Sequence, residues 1–413
     1  MVTQARPGIA DAGDAQCAAE RLLAAARALR PLVEASADQI ERERQLPESI
    51  VAAMADAGLL TMLVPRELGG AQTDPLTFLR VVEEVARYDG STGWCLFVAA
   101  VTAITAGSLR EDAAHAIWGN PRAFVAGSIA GGTATVADGG YRIRGRWSFA
   151  SGCRNATHLL AQCTVMEGDL PRLGPNGQPE VLMMFLPVSE TRIVENWQVA
   201  GLLGTGSHDF EIEDRFVRAE FTHPRSYVSP PWHTGALYTF GAGHIPTSLP
   251  GGNLNTPWAS LSSTSMAAAL LGMAQGALDA FATLAAIKTP FRRPMLLKDD
   301  PVVQDRFGRA DARLRAARAL VYQTTDDVWQ HVLTTGVGRP EDQTLLRSTG
   351  AYAAETAVEV VETVWKMAGT TGIFSGTAIE RRLRDAQVGA QNVGVSPTFF
   401  TGAGQLLLGS SRS

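Results

Sequence analysis

A double change of hydrophobic period constrains this chain more than any other feature. Before Pro121, apolar residues recur at three and four positions, as Leu22, Leu23, Ala26, Leu29, Leu32 and Val33 do. That spacing predicts amphipathic helices, with Pro47 and Pro75 opening two more. Residues 91–109, STGWCLFVAAVTAITAGSL, are apolar nearly all round and predict a helix in the middle of a bundle. After Pro121 the segments shorten. AFVAGSIA, YRIRGRWSF, HLLAQCTV, VLMMFLPV and FEIEDRFV alternate or run apolar between Gly, Pro and Asn turns, which predicts strands over about 121–225. Residues 226–257 form a Pro-, Gly-, Ser- and Thr-rich loop carrying His233 and His244. From Trp258 the helical period returns, with Met266, Leu270, Met273, Ala277, Phe281 and Leu284 on one stripe. Further helices are predicted at about 300–335, 341–368 and 376–391. The expected fold is α+β but mostly α: an N-terminal helical domain (1–120), a central β-barrel or sandwich domain (121–235), and a C-terminal four-helix bundle (236–413).

Length supports more than one domain, since 413 residues exceed what a single core usually serves. A net charge of -5 and a pI near 5.9, without a basic run, argue against nucleic acid as a partner. Cys17, Cys95, Cys153 and Cys163 lack CxxC pairing and read as free thiols of a reducing compartment. No HxxxH pair suggests a metal site. The N-terminus lacks the pattern of an export signal, and the longest apolar stretch, Met266–Ala274, is short for a bilayer and broken by Gly272. A cytoplasmic protein with no membrane partner is expected.

Two motifs point to chemistry. In GGYRIRGRWSFASGC (Gly139–Cys153), a two-faced strand ends in a flat aromatic, small hydroxyls and a glycine. Such a set could pack on a planar cofactor, or Trp147 and Ser148 could be ordinary core and turn residues. The second motif is GLLGTGSHD (Gly201–Asp209). Its His208 could orient a substrate or serve as acid–base, or could hold the turn through Asp209. His158, inside an apolar strand, reads as a core or interface residue.

The three-part order, with GRWSFASG, GLLGTGSHD, LVPRELGG (Leu63–Gly70), DGSTGW (Asp89–Trp94) and ERRLRDA (Glu380–Ala386), resembles the acyl-CoA dehydrogenase superfamily. Within it, the chain is most similar to the flavin-dependent monooxygenases, the oxygenase components of two-component systems. The likeness runs from about residue 20 to 409. It implies a homotetramer assembled through the last domain, with flavin between the β domain and the bundle. Gly127 and Ser128 would lie along the flavin, and Trp147 and Ser148 would contact its isoalloxazine. The turn at Ala368–Gly372, with Gly369, Thr370 and Gly372, would contact the flavin of a neighbouring subunit. Glycines there permit close approach and helix-start N–H groups favour phosphate, although a plain interhelical turn would look the same.

A dehydrogenase of this superfamily needs a carboxylate to remove the proton alpha to a thioester. Residues 386–413 contain no Asp or Glu, and the other family position for that glutamate falls on or near Ser262. The monooxygenase branch instead uses reduced FMN or FADH2 with O2 in a pocket that excludes water. Two histidines common in that branch are replaced, by Thr102 and Asn392. Thr102, Asn392 and His208 are therefore the candidate catalytic residues. The expected function is oxygenation of a small aromatic or natural-product-like substrate, with O2 and a separate flavin reductase as partners. The alternatives are a flavin-bound oxidase or dehydrogenase and a non-catalytic subunit on the same scaffold.

Overall fold

The computed structural model describes residues 12–174, 177–225, 236–240 and 257–409; His233 and His244 lie outside them. Seven helices come first: α1 (Ala12–Ala28), α2 (Arg30–Ala35), α3 (Ala37–Glu43), α4 (Glu48–Asp56), α5 (Pro75–Tyr88), α6 (Gly90–Ala103) and α7 (Glu111–Trp118). Their starts follow from local chemistry. Asp74 caps α5 by accepting the Thr77 N–H (2.9 Å), with Pro75 in the first turn. Asp89 caps α6 by accepting the Thr92 N–H (2.7 Å). Gly93 lets α6 close on α5, because a Cβ there would collide with Ala86. Nearly every side chain of α6 is buried, as its apolar circumference predicts.

Eight strands make one mixed sheet: β1 (Val125–Ala137), β2 (Gly140–Ala150), β3 (His158–Glu167), β4 (Leu170–Pro171), β5 (Val181–Pro187), β6 (Arg192–Val194), β7 (His208–Arg218) and β8 (Thr222–Pro224). The order is β6-β7-β2-β1-β3-β5-β8, with β4 on β3. All pairs are antiparallel except β1–β3, a parallel pair that the strand pattern did not announce. Its register shifts between Ser128 and Gly132. There the indole of Trp147 fills the space left by Gly132 and Gly145.

Five helices follow: α8 (Pro257–Ala285), α9 (Pro301–Thr335), α10 (Asp342–Ala368), α11 (Ala378–Gly389) and α12 (Phe399–Leu407). The first four match the expected bundle; α12 is a fifth helix that the periodicity missed. Helix α9 runs antiparallel to both neighbours. Arg318 meets Gln275 on α8 (3.0 Å) and Phe307 stacks on Phe281, while Arg313 meets Glu359 and Thr324 meets Thr349 on α10. Helices α8 and α10 are therefore parallel. Gly90–Ser108 and Ser260–Ala285 are long and apolar enough to cross a bilayer on composition, unlike the shorter stretch read from the sequence, and both are largely buried in the fold. One core cluster runs from α1 through the sheet to α11; a second, with Trp118, Phe185 and Val125, lies between α7 and the sheet.

Candidate functional site

Helix contacts define one polar end of the bundle. A Cβ on Gly90 would sit 2.8 Å from Asp385 Oδ2 and 3.1 Å from Met273 Cε. A Cβ on Gly389 would sit 3.1 Å from both Trp94 and Leu270. Ascending α6 thus means descending α8, and at about 1.5 Å per residue Thr102 falls level with Ser262. Ser262 is 6% exposed and its hydroxyl has no hydrogen-bond partner among the described residues. Next to it, Ser263 donates to the Gly394 carbonyl (2.7 Å), and Gly394 donates to Asn392 Oδ1 (2.8 Å). Ser262, Ser263 and Asn392 therefore stand together at the N-terminal end of α8, and the run of α6 brings Thr102 level with them. Thr102 and Asn392 are already engaged locally: Thr102 donates to the Val98 carbonyl (2.7 Å), and Asn392 caps its own turn.

His208 lies elsewhere. It opens β7, is buried, and its Nδ1 accepts the N–H groups of Asn196 (3.1 Å) and Trp197 (3.2 Å). That places the proton on Nε2, which is buried without a partner among the described residues. Burial, then the nearby Arg154, pushes its pKa down, so the ring is neutral. The adjoining Thr205 carbonyl lies beside Cys95, seven residues or about 10 Å along α6 from Thr102. His208 thus pins the 196–197 segment and is not grouped with Thr102 and Asn392. It holds that segment through its own ring and not through Asp209, which is bound by Arg146 (2.7 Å) and by Ser148. Burial opposes its ionisation, but these bonds keep its pKa below the ordinary value.

Trp147 departs from expectation. Its side chain has 0% exposure, stacks on Phe210 at 5.0 Å and donates to the Gln162 carbonyl (2.8 Å). No face of the indole is open to a flavin in this packing. Parity along β2 held the signal, because Ile143 and Trp147 share the inward face. The open aromatic of the motif is Phe149, 72% exposed, held at a left-handed φ of 64° and set edge-on to Trp197. Ser148 beside it is half-buried. Gly127 is packed on Leu160 of β3, and Ser128 is buried next to it.

The Gly369–Gly372 turn occupies the opposite end of the bundle. Lys288 donates to the Ala368 carbonyl and to Thr371 (both 2.7 Å), and Trp365 donates to the Gly372 carbonyl (2.8 Å). Gly369, with φ 58°, and Thr370 are exposed, whereas Gly372 is buried against Trp365. Gly350 packs on Ser263 at the polar end, so the turn stands about 27 Å away along α10. Near the turn, a cleft of about 320 Å³ between α9 and α10 is lined by Arg306, Arg309, Arg313 and Lys366. Sequence reasoning missed these cations, although the arginine spacing of three and four puts them on one helix face.

Asp385 is a second buried carboxyl at the start of α6, beside the Asp89 cap, and it is sealed. It accepts the Leu202 N–H (2.6 Å), and its other oxygen faces Gly90. Burial and the adjacent Asp89 raise its pKa to about 7, against the opposing pull of Leu202, Arg382 and Arg384. Arg382 itself donates to the Arg87 (2.8 Å) and Tyr88 carbonyls.

Comparison with known proteins agrees with this architecture. Residues 20–112 match the family model for the acyl-CoA dehydrogenase N-terminal domain, and residues 264–397 match that for the C-terminal domain. The chain belongs to the acyl-CoA dehydrogenase family. Among its relatives is an indole-3-acetate monooxygenase of Pseudomonas putida, 31% identical, with 90% of this chain and 89% of that protein covered. The flavin-dependent monooxygenase oxygenase subunit HsaA of Mycobacterium tuberculosis is 30% identical, with coverage of 92% and 93%. The crystal structure of the 3-HSA hydroxylase from Rhodococcus sp. RHA1 superposes with a TM-score of 0.82 at 26% identity, covering 95% of this chain and 98% of that one. Within the family, this chain is an oxygenase component of the flavin-dependent monooxygenases.

Proposed function

We propose that this oxygenase takes reduced FMN or FADH2 from a separate reductase and, with O2, hydroxylates a small aromatic molecule, working as a cytoplasmic homotetramer. The observation that carries the reading is the chemistry of the polar end. Thr102, Ser262 and Asn392 bring hydroxyls and an amide there, and the buried carboxyl of Asp385 is committed to Leu202. No base for removing an alpha proton stands among them. When bound, the reduced flavin supplies the electrons that activate O2.

The residues fit such a group in two places. Ser148 and Phe149 at the end of β2, with Gly127 and Ser128 on β1, would border the ring, and Trp147 would support that strand from behind. Arg306, Arg309, Arg313 and Lys366, beside Gly369, Thr370 and Gly372, would hold its phosphate. The separation of about 27 Å along α10 supports assigning the second set to a neighbouring subunit's flavin. Exposed Ile373, Phe374, Leu407 and Leu408 support contact between copies. The apolar walls of α6 exclude water, and Thr102 and Ser262 orient the substrate. Relatives named for indole-3-acetate and resorcinol support the aromatic substrate class.

The test is anaerobic titration with photoreduced FMN and FAD, followed by ¹⁸O₂ and a panel including indole-3-acetate and resorcinol. Tighter binding of reduced than oxidised flavin, with one labelled oxygen in a product, is expected. Reduction of bound flavin by an acyl-CoA without label incorporation would replace this reading with a dehydrogenase. Flavin affinity in neither redox state would leave a non-catalytic subunit.

A further inference from the structure

Two buried arginines, Arg225 and Arg347, lie within electrostatic reach of one another, and Arg347 stands at the polar end of the bundle. Arg347 lies on α10 three residues before Gly350, the residue packed on Ser263, so it shares that face of the helix. It is 6% exposed and its guanidinium lies over the Phe399 ring at 5.1 Å. Arg225 follows β8 directly, and its backbone N–H is fixed to the Val181 carbonyl of β5 (2.9 Å). Its Nε is buried and has no hydrogen-bond partner among the described residues. Among the described residues neither guanidinium has an ion pair, and Asp342, the buried carboxylate five residues before Arg347, is committed to Arg339 (2.7 Å). Burial lowers both pKa values, that of Arg347 to about 10, and Arg225 lies close enough to push it down further.

Two neighbouring cations in a desolvated place, with no counter-charge, destabilise the fold unless an anion joins them. We propose that Arg225 and Arg347 form the binding site for a carboxylate carried by the aromatic substrate. This rests on the oxygenase reading and narrows its substrate to an aromatic acid. The planar fork of arginine matches a carboxylate, and the site shares its end of the bundle with Ser262 and Thr102. The cations suited to a flavin phosphate stand about 27 Å away at the other end of α10.

The experiment measures dissociation constants for three acid–amide pairs: benzoate and benzamide, phenylacetate and phenylacetamide, indole-3-acetate and indole-3-acetamide. Binding is followed by calorimetry on the protein with and without reduced FMN. At least one acid is expected to bind on the order of 10–100-fold tighter than its amide, from charge-assisted hydrogen bonds. R347Q and R225Q should each abolish that preference and leave the affinity for reduced FMN unchanged, and R347K should restore part of it. R347M should raise the melting temperature of the ligand-free protein, because it removes an uncompensated charge; a fall would mean a structural pairing and overturn the site. No acid preference in any pair overturns it too. If R347Q weakens FMN but not riboflavin, the arginines serve the flavin phosphate and the proposal fails. Reading the pairs without flavin keeps the result independent of whether the oxygenase reading stands.

Discussion

Asp385 makes the stability of this protein depend on pH in an unusual direction, and Asp385→Asn tests that. The carboxyl is enclosed by the Asp89 cap of α6, the Leu202 N–H, Met273 of α8, and Arg382 and Arg384 of its own helix. Its pKa stands at about 7 against an ordinary 3.8. A folded-state value raised above the unfolded one contributes stability that is full below pH 3.8 and lost as pH rises through 7. At 1.36 kcal/mol per pKa unit the whole loss is about 4 kcal/mol, of which about 3 falls between pH 4.5 and 8. The amide cannot ionise and keeps an oxygen for Leu202. The stability of D385N minus that of wild type should therefore rise by about 3 kcal/mol from pH 4.5 to pH 8 in paired urea denaturations. Taking the difference cancels carboxylates with the opposite slope, such as Asp209. A difference that is flat or falls with pH would refute the reasoning.

Gly132→Ala should destabilise by about 1–3 kcal/mol and shift tryptophan emission, since the new methyl overlaps the Trp147 ring; unchanged denaturation would show that the β1 bulge absorbs it. Ser262→Ala should leave stability within about 0.5 kcal/mol, because the hydroxyl bonds to none of the described residues, while lowering turnover; the converse pattern would make Ser262 structural. The double variant R309Q/R313Q should weaken FMN by about 10-fold or more relative to riboflavin in fluorescence titrations; equal losses for both flavins would remove the phosphate assignment. Replacing Ser148 with Trp should weaken reduced-flavin binding, and unchanged affinity would place the flavin elsewhere.

Much of the fold was legible because its signals are local. The run predicted at 300–335 is α9 at Pro301–Thr335, and that predicted at 341–368 is α10 at Asp342–Ala368. The capping aspartates and starting prolines mark their helices by residue type alone. The site was less legible. Asn392 reaches Ser263 of α8 through Gly394, whereas His208 carried a motif and proved to be a backbone anchor. Trp147 faces inward with Ile143 by strand parity, while the register shift between Trp147 and Ala150 leaves Phe149 as the open aromatic. Arg225 and Arg347 lie far apart in the chain, and no spacing rule links the end of a strand to a helix in another domain.

The burial of α6 also bears on how the chain is made. This helix is apolar all round; α5 covers one side of it early, and the rest of its cover comes from β1, α8 and, last, Gly389 of α11 against Trp94. It leaves the ribosome long before Gly389 does, and at 5–20 residues per second the delay is roughly 14–57 s. For that interval the nascent chain presents a half-covered oily helix with the composition of a bilayer segment. Synthesis of this protein thus places its heaviest demand on holding chaperones between the first domain and the last helices, and a transcript cut short before α11 yields an aggregating product.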